Sequence, residues 1–512
     1  MSISSDKLNN FWLPLLINLT YIIIIISHLW QLDTVPRGFY TDELATGYNA
    51  ITIADTGKDE FGHFLPLYFQ SFGDYKQPIF VYTTALVFKL LGASEFNLRL
   101  VSFLYFMLFI VSLHLIVKQL FPRSSLVLLY ALITAGFLPW YFTLSRIAFD
   151  AITQLGITAL ALFFVLKTYH DPPTKQRISN PVLAGSLLGL SIYSYTTSRL
   201  LAFLYLLITL LIYARRSTLK RSIVFTIYFL VVATPFIAYS WQYPGRLNAY
   251  VHQMVYIDDP TPLTDRLNTF TKYYFSYFNP SYLLSSGDTG NLRHHSGYGG
   301  QLFITTVILA IIGALNVFFQ PSPHRRFSAY LAICLVLTPI AAAITIPYLS
   351  PHALRSSLLG LFLLLLSCWG FHSTINFIHK RNFRLVASSL IFLALITQAY
   401  LYTRHYFTVY PDQSIKAFET YDFKADITKA LALKPDQIII SSLSANPHIF
   451  YDFYKHIIPN RNNIPVKVSP PTSIPHTCVI YFVHFAAPPK TESLPFRDYS
   501  PPLNDTQLRC YQ

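Results

Sequence analysis

The sequence predicts an all-α polytopic membrane protein of about eleven transmembrane helices, followed by a small α/β domain at its C-terminal end. Three observations predict it. Only 12% of the 512 residues are charged and 53% are hydrophobic, whereas a soluble domain carries about 25% charged residues. Apolar runs long enough to cross a ~30 Å hydrocarbon layer recur between residues 11 and 402. Basic residues collect in alternate loops, as the positive-inside rule requires of a membrane protein.

The apolar segments run 11–30, 99–119, 124–141, 146–168, 182–197, 199–214, 222–241, 301–320, 327–347, 352–372 and 384–402. Phe11–Trp30 is too long for a secretory h-region, and Pro36 and Arg37 follow it where a small-residue cleavage site would stand, so it reads as a retained helix. The basic turns are Lys118/Arg123, Lys167/Lys175/Arg177, Arg215/Arg216/Lys220/Arg221, Arg325/Arg326 and Lys380/Arg381/Arg384. Placing them all in the cytoplasm puts the N-terminus inside and the C-terminal tail outside a plasma (inner) membrane. This parity forbids a net crossing between Trp30 and Arg99. The short apolar stretch Ile79–Leu91 is therefore expected to lie at the outer interface. The net charge of +14 then belongs to orienting loops facing a lipid bilayer, and nucleic acid is not an expected partner.

Two regions result. Residues 1–402 form the transmembrane part, including a first outer loop at 31–98 and a long outer loop at 242–300. Residues 403–512 form an extracytoplasmic tail with helix-like stretches at Asp422–Leu433 and Pro447–Ile458 and strand-like runs at Gln437–Ser442 and Val479–Val483. The tail shows no catalytic motif, and packing or acceptor docking is expected of it. Of the four cysteines, Cys334 and Cys368 lie in apolar runs. Cys478 and Cys510 lie in the tail and can pair if it is outside the cytoplasm.

The polar residues of the outer side carry the chemistry. Asp42-Glu43 follows the first helix, then Thr56 to Gly62, then Asp74-Tyr75-Lys76-Gln77-Pro78. Elsewhere on that side lie Arg146 and Asp150, Tyr193/Tyr195/Arg199, Arg246, Asn279, Asp288, Arg293-His294-His295, and His352 with Arg355. Arg146 and Asp150 are four apart and are expected to share one helix face, and Arg355, three beyond His352, is expected to share a face with it. A carboxylate near the membrane surface can accept a proton from an acceptor hydroxyl. Arginines and histidines can hold a phosphate by charge-assisted hydrogen bonds. Together these needs describe transfer of a sugar from a lipid-linked phosphate, whose leaving charge the cations stabilise. Each residue also has a structural reading: Thr41 or Asp42 as a helix cap, Arg146–Asp150 as an ion pair, Arg199 as a snorkelling residue, and His352 as a core histidine.

The run Gly38-Phe39-Tyr40-Thr41-Asp42-Glu43 resembles the Asp-Glu signature in the first extracytoplasmic loop of the GT-C glycosyltransferases of family 39. These include the protein O-mannosyltransferases and the aminoarabinose transferase of lipid A. The similarity is greater to the bacterial, phospholipid-carrier-dependent, mannosyltransferase-like branch. Thr56 to Gly62, Asp74 to Pro78, Ser145-Arg146 through Asp150, Tyr193-x-Tyr195 through Arg199, Asn279-Pro280 with Arg293-His294, and Pro351 to Arg355 follow in matching order over roughly residues 10–402. The resemblance implies a GT-C-like fold, Asp42 as the base, and Glu43 supporting it or holding an acceptor. It also implies Lys76, Arg146 and Arg199 at the carrier phosphate, with His352 and Arg355 nearby; Asp150, Tyr195, Arg293 and His294 complete the expected substrate-binding set. Tyr75-Lys76-Gln77-Pro78 departs from the Glu-Lys-Pro of the aminoarabinose transferase, so no metal ligand is assigned, although a divalent metal is compatible.

The expected activity is inverting transfer of a sugar from a polyprenyl-phosphate donor to a hydroxyl- or amine-bearing glycan, lipid or protein outside the cytoplasm. A transporter or flippase is the alternative from another class. It would place polar residues at the bilayer midplane on broken, repeated helices, and no repeat is seen. An oligosaccharide ligase would use arginines and a histidine in a late outer loop, which 242–300 keeps open.

Overall fold

A computed structural model describes residues 5–71, 74–171, 177–247, 255–256, 261–289, 291–319, 325–345, 351–418, 422–441, 447–459, 463–471, 474–482, 495–498 and 506–511. Parts of the predicted outer loop 242–300, the end of the predicted span 327–347, and the last residues of the predicted strands at Ser442 and Val483 fall outside these.

In chain order the helices and first strands are α1 Ser5–Leu29, α2 Thr41–Thr56, β1 Phe69–Ser71, β2 Asp74–Lys76, α3 Pro78–Leu91, α4 Glu95–Leu120, α5 Ser125–Phe137, α6 Pro139–Leu144, α7 Ala151–His170, α8 Ser179–Leu190, α9 Ser198–Tyr213, α10 Leu219–Gln242, α11 Leu263–Ser276, α12 Ile304–Phe319, α13 Arg325–Leu337, α14 Ser357–Phe377 and α15 Arg381–Thr408. Every predicted apolar segment contains helix. Among the described residues, seven helices are long and apolar enough to cross a membrane: Trp12–Leu29, Glu95–Leu120, Ala151–His170, Leu219–Gln242, Arg326–Ala343, Ser357–Phe377 and Arg381–Thr408. The chain is a multi-helix membrane protein.

The expectation of eleven full spans needs revision at the other four segments. α5, α9 and α12 are apolar but shorter; at 1.5 Å per residue each reaches only about 20–24 Å. α5 is cut from α6 at Leu138, before Pro139, because proline cannot continue a hydrogen-bonded helix. The predicted span 182–197 becomes α8 followed by a single 3₁₀ turn at Ser191–Tyr193.

The described chain divides into two compact units. The first comprises residues 1–30, 68–80 and 102–406. Its closest helix pair is α12 with α14. A Cβ on Gly313 would sit 1.9 Å from the Leu366 carbonyl oxygen, and one on Gly370 would sit 1.8 Å from that of Leu309. Small residues on both helices let the backbones touch, the usual way helices associate where burial in lipid supplies no hydrophobic drive. The β1–β2 hairpin also belongs here, with Phe69 opposite Lys76, Gln70 opposite Tyr75 and Ser71 opposite Asp74.

The second unit comprises residues 31–67, 81–101 and 407–512. It holds α2 and the C-terminal elements α16 Phe423–Ala432, β3 Gln437–Ser441, α17 Pro447–Tyr454, β4 Val466–Ser469, β5 Thr477–Phe482, β6 Phe496–Asp498 and β7 Thr506–Tyr511, with α2 packed on α17. The sheet order is β4-β3-β5-β7-β6. The first three strands are parallel, and β7 runs antiparallel to both neighbours. Cys478 and Cys510 face each other across β5 and β7 and form a disulfide. Gly47 marks the contact between α2 and α17, since a Cβ there would lie 2.5 Å from the Phe453 ring. Glu95 accepts from Tyr454 Oη at 2.9 Å and pairs with Lys424. The acidic loop and the tail, separate in the sequence reading, thus share one core.

Candidate functional site

In the second unit, α2 begins at Thr41 with Tyr40 as its N-cap, so Asp42 and Glu43 occupy the first turn, where the helix dipole favours negative charge. Their environments diverge. Asp42 is half-buried. Glu43 is completely buried, accepts from the Tyr40 backbone N–H at 3.0 Å, and pairs with Arg99 Nε at 3.2 Å. Arg99 is equally buried and donates to the carbonyls of Leu32, Pro36 and Gly38 at 3.3, 2.8 and 2.5 Å. Its guanidinium lies 3.9 Å from the Phe39 ring centre. Of the two roles expected of Glu43, supporting Asp42 or holding an acceptor, its burial and its pairing with Arg99 favour the first. Arg99 was missed in the sequence because it stands alone at the head of an apolar run.

The remaining candidates lie in the first unit. Arg146 proves to be structural. Residues 145–150 are not helical, so Arg146 and Asp150 share no helix face. The Arg146 guanidinium donates to the carbonyls of Ser27, His28 and Trp30 at 3.1, 2.6 and 2.7 Å. These are carbonyls at the C-terminal end of α1, left without helical partners and attractive to a cation. The phosphate role expected of Arg146 is replaced by this capping role.

Arg199 opens α9 and is held differently. Nη1 donates to the Leu247 carbonyl at 3.0 Å, while Nε and Nη2 are buried without a partner. Tyr68, Asp74 and Asp150 face it electrostatically, and Lys76 Nζ is 3.7 Å from Asp74. Asp150 caps α7. Gln154, one turn on, accepts from Thr197 and Ser198 at 2.8 and 2.6 Å and donates to Ser357 at 3.1 Å. The starts of α7, α9 and α14 are thus tied together around Arg199. Tyr195 is half-buried in the turn before α9.

A second cluster joins the late outer loop to the turn before α14. Asp288 Oδ2 accepts from His294 Nδ1 at 3.0 Å and from the Ala353 N–H at 2.8 Å. The His294 and His352 rings are 4.5 Å apart, and Phe149, beside Asp150, packs edge-on against His294 at 6.1 Å. His352 and Arg355 lie in a turn rather than on a helix. Arg355 and Arg293 both act electrostatically on the two histidines. Burial holds His294, His295 and His352 below their ordinary values, His352 well below. Near pH 7 they are neutral, so the positive charge here comes from Arg293 and Arg355, not from the histidines as first expected.

Asp288, His294 and His352 offer ligand atoms within 4.8 Å of one another, and His352 Nδ1 is buried without a hydrogen-bond partner. Two neutral imidazoles and one carboxylate suit a first-row divalent cation. No metal ligand is assigned from the sequence, because Tyr75-Lys76-Gln77-Pro78 departs from Glu-Lys-Pro; the three residues here come from the late loop and the turn before α14.

The histidines also set a pH dependence. They stay neutral in the fold while the unfolded chain protonates near pH 6.5. The folded state therefore loses stability as pH falls below about 6.5 and gains nothing above it. The melting temperature is expected to fall between pH 7 and 5, with a smaller slope in His294→Gln/His352→Gln. An unchanged slope would count against the assignment.

Residues 75–241 match the family model described as dolichyl-phosphate-mannose-protein mannosyltransferase. The structure resembles ArnT from Cupriavidus metallidurans bound to undecaprenyl phosphate, with a TM-score of 0.58 and 13% identity over 96% of this chain and 97% of that one. The apo form of ArnT gives 0.55 and 14% over 89% and 85%. The chain has an ArnT-like fold. The oligosaccharyltransferase AglB from Archaeoglobus fulgidus, solved with an inhibitory peptide and a dolichol-phosphate, shares the fold of this chain at a TM-score of 0.51 and 13% identity, over 90% of this chain and 64% of that one. A search of curated protein sequences gave no significant match. The family match takes in Lys76, Asp150, Tyr195 and Arg199. Asp42, Asp288, His294, His352 and Arg355 lie outside it.

Proposed function

We propose that this chain is a glycosyltransferase that moves a sugar from a polyprenyl-phosphate carrier to an acceptor hydroxyl, or to an amine-bearing glycan, lipid or protein, on the extracytoplasmic face of the plasma membrane. The observation that carries this reading is Arg199, a buried guanidinium whose Nε and Nη2 have no partner among the described residues, facing Asp74, which pairs with Lys76. A buried cation with unused donors suits an anion such as phosphate. The ArnT structure bound to undecaprenyl phosphate supports a lipid-phosphate donor. The Cys478–Cys510 disulfide supports an oxidising, extracytoplasmic location for the tail.

In the proposed reaction the acceptor oxygen attacks the anomeric carbon and gives its proton to the Asp42 carboxylate. The bond from that carbon to the phosphate oxygen breaks, and both electrons leave with the phosphate. Arg199 and Lys76 stabilise the added charge, and Arg355 and Arg293 add positive potential. A divalent cation held by Asp288, His294 and His352 would supply further positive charge to a phosphate oxygen.

The test is mass spectrometry of products formed by the full chain in nanodiscs from a panel of undecaprenyl-phosphate sugars. Transfer from at least one donor is expected, with kcat/KM about 10- to 100-fold lower in Arg199→Gln. Absence of transfer from every donor, or wild-type transfer by the variant, would overturn the reading.

A further inference from the structure

Besides the two Arg199 nitrogens, Tyr68 Oη and Gln77 Oε1 are buried without hydrogen-bond partners among the described residues. Tyr68 is 3% and Gln77 1% exposed. The hairpin register brings them together: Phe69 pairs with Lys76, so the residues one step outside the ladder, Tyr68 and Gln77, lie across from each other. The Arg199 guanidinium carbon lies 5.3 Å from the Tyr68 ring centre. Gln77 Nε2 donates to Thr196 Oγ1 at 3.4 Å, and the Thr196 carbonyl accepts from the Arg199 N–H at 3.2 Å. Tyr193 stacks on Tyr68 at 6.3 Å and is anchored by its hydroxyl to α10, donating to the Val232 carbonyl at 2.8 Å.

Buried polar groups without partners are uncommon in folded proteins, and a set of them gathered at one place calls for a ligand. These atoms ask for different partners. Arg199 Nε and Nη2 need an acceptor, best an anion. Gln77 Oε1 can only accept, so a phosphate oxygen cannot satisfy it; it needs a hydroxyl or an amine. Tyr68 Oη serves either. A bare phosphate leaves the set incomplete, and a neutral sugar leaves Arg199 unanswered.

We propose that Tyr68, Gln77 and Arg199 form the subsite that reads the glycosyl-phosphate head of the donor. Arg199 and Tyr68 take phosphate oxygens, and Gln77 takes a hydroxyl or amine of the sugar. This rests on the glycosyltransferase reading above. It adds that the transferred sugar carries a free hydrogen-bond donor beside the phosphate, and that the enzyme separates loaded from spent carrier by that group. A site built to bond a particular group rejects the analogue lacking it.

The experiment measures binding to the full chain in nanodiscs of undecaprenyl phosphate and of its mannosyl, glucosyl and arabinosyl forms. For the tightest glycosylated lipid, Gln77→Leu is expected to weaken binding about tenfold while leaving undecaprenyl phosphate unchanged. Tyr68→Phe is expected to weaken both about tenfold. Gln77→Met repeats the first arm if the leucine variant melts early. Gln77 variants that bind both lipids as wild type does, or lose both equally, overturn the subsite while leaving the transferase reading in place. Wild-type protein that binds none of the lipids overturns the donor reading and the subsite with it.

Discussion

Replacing Arg99 with methionine is expected to cost the loop-and-tail unit about 3–5 kcal/mol and to abolish transfer with Asp42 still in the sequence. Arg99 and Glu43 are both 0% exposed. Removing one partner leaves the other charge buried and unpaired, which costs far more than the intact pair contributes. Arg99 also satisfies three loop carbonyls, at Leu32, Pro36 and Gly38, and its loss orphans them together. The backbone that enters α2 then has no reason to hold one conformation. The measurement is thermal or denaturant unfolding of the variant, read beside transfer activity. The double variant Glu43→Gln/Arg99→Met is expected to recover part of the stability, because no charge is stranded. Wild-type melting of Arg99→Met would sink the argument, as would a double variant weaker than the sum of its parts.

The membrane part was legible because lipid demands long apolar runs, and hydropathy finds those directly. It does not find where a helix stops inside such a run. Pro139 was visible, yet the run from 124 to 141 still read as one span; the break at Leu138 is a backbone effect within an apolar stretch. Arg146 was misread for a related reason. Its spacing from Asp150 implies a shared face only if the segment is helical, and residues 145–150 are not. In the tail, β3 and β5 were legible as runs of isoleucine and valine. The edge strands β4 and β6 are only four and three residues long, and β7 alternates only Leu508 and Cys510 with polar residues, so their patterns are too short to stand out. The site residues divide the same way. Asp42, Lys76 and Arg199 stood out as charges beside apolar runs. Arg99 did too, but only its burial against Glu43 reveals its function. The Asp288–His294–His352 cluster and the pairing of Tyr68 with Gln77 are products of tertiary structure and strand register, which no local spacing encodes.

The second large effect is expected of Asp42→Asn. Asparagine keeps the size and the position in the first turn of α2 but cannot take a proton. If Asp42 is the base, kcat should fall by about 10²- to 10⁴-fold, the usual worth of a positioned proton acceptor. The donor KM should stay near wild type, because Arg199 and Lys76 are untouched. Unfolding should change little, since Asp42 is only half-buried and asparagine remains acceptable in a first helical turn. Asp42→Glu should restore part of the rate, since a carboxylate is returned at a displaced position. The contrast with Glu43→Gln is the decisive control. That change should lower stability through the Arg99 pair and lower activity in proportion to the protein that unfolds, with kcat per folded molecule less affected than in Asp42→Asn. If the two variants exchanged these signatures, the roles assigned to the acidic pair would have to be exchanged as well.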